Sequence, residues 1–107
     1  MKNIDLEDNF KILRKIFNNP KATQRSLAID LGFSLGKINY CLNALKNKGL
    51  VKIKNFKNNK NKINNIQYVL TPKGISERTS LTINYMKKKM QEYDELKKEL
   101  KLNQTKD

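Results

Sequence analysis

Apolar side chains recur at helical spacing through the first half of the chain. Leu6, Phe10, Leu13 and Phe17 step by four, three and four, and Ile12 and Ile16 widen the stripe. This spacing predicts an amphipathic helix over 5–18. Asp5, Glu7 and Asp8 stand at its N-terminal end, where the helix dipole favours anions, and Asn18-Asn19-Pro20 ends it. A short second helix is predicted over 24–31. Thr23 is its N-cap, Leu27, Ala28 and Leu31 form its apolar face, and Gly32 stands where a helix closes on a left-handed residue. Ser34 caps a third helix over 35–48. Its apolar face is Leu35, Ile38, Leu42 and Leu45, with Cys41 on the flank and Gly49 closing it. Only Gly32-Phe33-Ser34 separates the second and third helices. That connection is too short for a relaxed antiparallel pair and predicts two helices at a steep angle, a helix-turn-helix.

The period then changes to two. Leu50 to Phe56 alternates, with Val51 and Ile53 expected inward and Lys52 and Lys54 outward, and Ile66, Tyr68 and Leu70 alternate likewise. These are two strands of a hairpin. The segment between them, KNNKNKINN, has one apolar residue in nine and is too polar to pack. A helix-turn-helix followed by a basic-tipped hairpin is a winged helix. Thr71-Pro72 opens a last helix, and no strong breaker follows Gly74 for about 30 residues, so it extends about 45 Å at 1.5 Å per residue. Along it Ile83, Met86, Met90, Tyr93 and Leu100 form a heptad seam, with Lys97 as its polar position and Leu96 widening it. A second copy of the chain is the simplest partner for that seam; the alternative is that it packs back on the first helix. The predicted fold class is therefore mainly α with a small β-hairpin. A winged helix-turn-helix over 1–71 is followed by a long C-terminal dimerisation helix over 72–107.

Composition sharpens this picture. The 107 residues suit one domain, and 23 Lys and Arg against 10 Asp and Glu give a formal net charge of +13. The charge is uneven. Residues 34–71 carry 8 basic side chains and 0 acidic ones, which makes a polyanion the expected partner. The plainer explanation is a solvated lysine-rich surface from a Lys- and Asn-biased proteome, so the arrangement of residues has to decide. With no His and a single Cys, a His-based triad, a His metal site and an internal disulfide are excluded. No Gly-rich phosphate loop is present, and no enzyme, metal or cofactor is expected. No apolar run approaches the about 20 residues of a membrane span. The acidic start lacks a secretory signal's apolar core, and a lone thiol fits a reducing cytoplasm.

The stretch SLAIDLGFSLGKINYCLNALKNKGLVKI (26–53) carries the pattern of winged-helix transcription regulators, and LTPKG (70–74) resembles the feature that follows the wing in MarR-type regulators. GKINYCLNALKNKGLVKIKNFKNNKNK (36–62) followed by LTPKG is similar, more closely, to the small MarR-like regulators associated with exopolysaccharide gene clusters. The resemblance runs from about residue 9 to residue 102. It implies a bacterial, cytoplasmic, homodimeric regulator of transcription bound to double-stranded DNA, with polysaccharide genes as targets. The chain departs from ordinary MarR proteins in three respects. No extra helix is expected before the winged unit, one C-terminal helix is expected instead of two, and the wing has no Asp/Arg pair.

Helix 35–48 is expected in the major groove, the usual docking of the second helix of a helix-turn-helix. Gly36, Lys37, Asn39, Tyr40, Asn43 and Asn47 lie opposite its apolar face. Asn pairs bidentately with an adenine edge, Lys reaches guanine acceptors, and Gly36 admits close backbone approach. Tyr40 stands where relatives often carry Arg and suits a sugar or a thymine methyl. Ser34 and Thr23 cap helices whose N-termini also suit phosphates, and Gln24 and Arg25 are further phosphate candidates. Lys57, Asn58, Asn59, Lys60 and Lys62 form a wing tip suited to the narrow minor groove of A·T-rich DNA. Ile83, Met86, Met90, Tyr93, Leu96 and Leu100 are the expected dimer interface. Cys41 is expected to be buried, the rival role being a thiol sensor. Two other functions compete with DNA recognition: a winged-helix binder of RNA or nucleoprotein, and a coiled-coil protein adaptor.

Overall fold

A computed structural model describes residues 6–54 and 66–105, the last three of these as helix backbone. The element order is α1 (Leu6–Asn18), α2 (Gln24–Leu31), α3 (Leu35–Asn47), β1 (Val51–Ile53), β2 (Tyr68–Leu70) and α4 (Pro72–Thr105). The boundaries of α2 and α3 are set by local devices. Thr23 and Ser26 form a reciprocal capping box at α2: Thr23 Oγ1 accepts from Ser26 N at 3.1 Å, and Ser26 Oγ accepts from Thr23 N at 2.9 Å. Gly32 closes α2 at φ 72°, and the Phe33 amide returns to the Ala28 carbonyl at 2.9 Å. Ser34 Oγ accepts from Lys37 N at 3.1 Å to open α3. At the far end Lys48 is the C-cap, and Gly49 at φ 77° turns the chain so that Leu50 N bonds Leu45 O at 2.9 Å.

Ile12, Leu13 and Ile16 of α1, Leu27 and Ala28 of α2, Ile38, Cys41, Leu42 and Leu45 of α3, and Val51, Tyr68 and Leu70 of the hairpin form one core. β1 and β2 pair antiparallel with Val51 opposite Leu70 and Ile53 opposite Tyr68. Thr23 bridges Gln67 on the other side of β2, and Tyr68 N bonds Ala22 O at 3.1 Å. β2 is therefore covered on both edges, whereas β1 is paired on one. One residue differs from the alternation. Ile53, expected inward, is 41% exposed while Val51 on the same face of β1 is 2% exposed, so the strand runs past the core at its end. The strands are also shorter than the alternating runs, and Phe56 lies outside the described residues. Leu6, Phe17 and Leu35, three members of predicted apolar faces, are exposed as well, each at or next to a helix end where the core no longer reaches.

The start of α4 is tied to the end of α3. Thr71 Oγ1 donates to the Gly49 carbonyl and accepts from Gly74 N at 3.0 Å, and Lys73 Nζ donates to Lys48 O at 3.1 Å. Gly74 is buried so tightly that a Cβ there would stand 1.9 Å from the Leu50 carbonyl oxygen. Beyond this joint α4 uses two faces. Arg78, Leu81 and Tyr85 turn toward the body. The Arg78 guanidinium lies 3.9 Å from the centre of the Phe17 ring, Leu81 packs at the core edge, and Tyr85 meets Phe10 edge-to-face with ring centres 5.0 Å apart. The predicted seam is a separate face that does not fold back on α1. Ile83, Met86, Met90, Tyr93, Leu96 and Leu100 are all exposed, Ile83 the least at 47% and Leu96 the most at 64%.

Candidate nucleic-acid interface

α3 presents its two faces cleanly. Ile38, Cys41, Leu42 and Leu45 are buried, while Gly36, Lys37, Asn39, Tyr40, Asn43 and Asn47 are all exposed. The six residues expected to face DNA thus share one surface. A Cβ built on Gly36 would meet nothing within 4 Å, so no packing within the described residues requires glycine there. Ser34 is exposed and spends its hydroxyl on the α3 cap. Thr23 and Gln24 are half-buried at the start of α2, and Arg25 is exposed. Thr23 Oγ1 is engaged in the capping box. Lys57, Asn58, Asn59, Lys60 and Lys62 lie outside the described residues.

The basic residues Arg25, Lys37, Lys46, Lys48 and Lys52 of α2, α3, its C-cap and β1 are all exposed. Lys54 donates its ammonium to Pro20 O at 2.9 Å, which anchors the base of the hairpin to the α1–α2 connection. Asp30 pairs with Lys15 at 3.9 Å. Lys37 has two neighbours that the spacing of the sequence did not single out. Its Nζ lies 3.0 Å from an Asp8 carboxylate oxygen on α1 and 4.1 Å from the centre of the Phe33 ring in the helix-turn-helix connection. Asp8 is 29 positions away in the chain and was legible only as an acid at a helix start. Phe33 was legible only as part of the turn.

Cys41 belongs to the core at 3% exposure. Burial pushes its thiol pKa up, Asp8 adds to the rise and Lys37 opposes it. The sulfur therefore stays protonated at neutral pH, whereas reactivity requires a thiolate. Among the described residues no cluster of three His, Cys, Asp or Glu side chains is placed to hold a metal ion. No helix among them is long and apolar enough to cross a membrane.

The family model described as winged helix-turn-helix DNA-binding matches residues 9–52, the span from α1 through β1. No curated protein matches the chain. Solved structures do. MarR of Staphylococcus aureus in complex with salicylate and kanamycin superposes with a TM-score of 0.70 at 19% identity, covering 82% of this chain and 57% of that one. FabT of Streptococcus pneumoniae in complex with DNA gives 0.66 at 20% identity, covering 88% and 62%. MarR of E. coli in its apo form gives 0.61 at 25% identity, covering 74% and 56%. The chain thus spans less than two thirds of each of these proteins. The likeness establishes a winged helix-turn-helix fold shared with these proteins.

Proposed function

We propose that this chain is a non-enzymatic, sequence-specific double-stranded-DNA-binding transcription regulator that acts as a homodimer on an inverted repeat. The observation that carries the reading is the outer face of α3, where Gly36, Lys37, Asn39, Tyr40, Asn43 and Asn47 stand exposed together. The face holds hydrogen-bonding side chains of the types that read base edges and a glycine with open space over it. Residues 34–71 contribute basic side chains and no acids of their own, which favours attraction to phosphates along this segment. In this reading α3 enters the major groove. Thr23, Gln24, Arg25 and Ser34 meet phosphates, and Lys57, Asn58, Asn59, Lys60 and Lys62 reach the minor groove or phosphates from the wing.

The winged unit over 1–71 reads DNA and the helix over 72–107 pairs two copies. The exposed seam supports the pairing, because an apolar stripe of this length is otherwise left in water. A two-fold dimer sets its recognition helices one duplex turn apart, about 34–36 Å. A cytoplasmic location follows from the partner, and control of polysaccharide genes rests on the resemblance of segments 36–62 and 70–74.

Incubating the protein with sheared genomic DNA and excess competitor, then sequencing what stays bound, tests the reading. Fragments sharing an inverted repeat are the expected result. On that repeat, Lys37→Ala and Tyr40→Ala each weaken binding by about 1–3 kcal/mol while leaving affinity for unrelated duplex nearly unchanged. Retention without a shared motif, or preference for folded RNA, overturns sequence-specific DNA recognition. Failure to retain any DNA leaves α4 and a protein partner as the functional surface.

A further inference from the structure

We propose that Asp8 is a specificity-determining residue of the DNA-facing surface: its carboxylate holds the Lys37 ammonium as a donor for a base-edge acceptor and withholds it from the phosphate backbone. The inference rests on the reading of α3 as the base-facing helix. Lys37 occupies the third position of α3, where its own amide is already fixed by the Ser34 cap. Its ammonium is held from two further sides, by Asp8 on α1 at 3.0 Å and by the Phe33 ring at 4.1 Å. The Asp8 side chain is only 17% exposed, while that of Lys37 is 46% exposed. The acid therefore lies beneath and the amine outside.

Charge and hydrogen-bonding capacity separate in such a pair. An ammonium has three N–H donors, and one carboxylate contact leaves donors over. The guanine acceptors of the major groove are neutral and take a hydrogen bond from a donor of any net charge. Phosphate attraction depends on net charge and on counterion release. Compensated by Asp8, Lys37 keeps what a base needs and loses what a phosphate rewards. The position is also fixed: an unpaired lysine sweeps its flexible stem over any phosphate in range, whereas this one is tethered to α1 and to the turn.

The test is the salt dependence of binding by the full chain to its selected repeat and to an unrelated duplex. In the unrelated duplex, Asp8→Asn raises affinity about five- to tenfold near 0.1 M salt and steepens the slope of log K against log salt by about 0.9, one added phosphate contact. The preference for the repeat falls correspondingly. In a Lys37→Met background the same Asp8 change leaves the slope unaltered. A slope that Asp8→Asn does not alter, or alters equally without Lys37, overturns the inference while the proposed function stands. Absence of duplex binding by the wild-type chain overturns both. Amine acylation of the free protein, read by mass spectrometry, checks the pair without DNA. Lys37 reacts more slowly than Lys46 and Lys52, and Asp8→Asn removes that protection; equal rates in the wild type refute the tether.

Discussion

A glycine at the second position of a helix is costly unless something requires it, and nothing inside the described chain requires Gly36. Its mutation separates folding from recognition. Gly36→Ala leaves stability unchanged or raises it by up to about 1 kcal/mol in chemical denaturation. The same change lowers affinity for the selected repeat about tenfold, about 1.4 kcal/mol, because a methyl group stands where α3 approaches DNA. Equal affinity of the two proteins counts against close approach at that point. Gly36 and the polar face around it were readable from sequence, because helical spacing assigns faces without knowledge of tertiary contacts. The neighbours of Lys37 were not. Asp8 reaches it through the packing of α1 beside the start of α3, and no periodicity encodes a contact between helices.

At the scale of elements, the joint between α3 and α4 is a packing constraint more than a hinge. Gly74 presses against the Leu50 carbonyl, and Thr71 and Lys73 bond the carbonyls of Gly49 and Lys48. Gly74→Ala forces backbone apart and costs about 1–3 kcal/mol, seen as a lowered Tm; an unchanged Tm would show that the joint yields. The contrast with Gly36 is a contrast of surroundings, since both glycines sit near the start of a helix. The helix boundaries were legible because Thr23, Gly32, Ser34, Gly49 and Thr71 are local devices that act within a few residues. Strand details were less so. Alternation placed Ile53 inward with Val51, but alternation assigns a face and not a depth, and an edge strand loses cover as it leaves the core.

The extents are 70 × 29 × 26 Å, and the 34 residues of α4 span about 51 Å at 1.5 Å per residue. The sequence identified the seam but left its partner open between a second copy and α1. The structure gives α1 a different face of α4, through Arg78, Leu81 and Tyr85. Replacing Met86 and Met90 together by Glu tests what the seam is for. Both side chains are 61% exposed, so the monomer's fold is unaffected. The substituted protein sediments as a monomer where the wild type sediments as a dimer, and it loses about 10²-fold in affinity for a two-half-site operator. A monomeric wild type at micromolar concentration removes the homodimer from the proposed function.

The position of α1 bears on how the chain is made. Its buried face is covered by α2, by β2 and by the first turns of α4, with Phe10 resting on Tyr85 and Phe17 under Arg78. Of the described helices, α1 is synthesised before the others and is among the last to be enclosed. Its contacts span the longest stretches of sequence, the kind whose loop-closure entropy slows folding. Until residues 68–85 emerge, the nascent chain holds the ring of Phe10 without the cover it has in the finished protein.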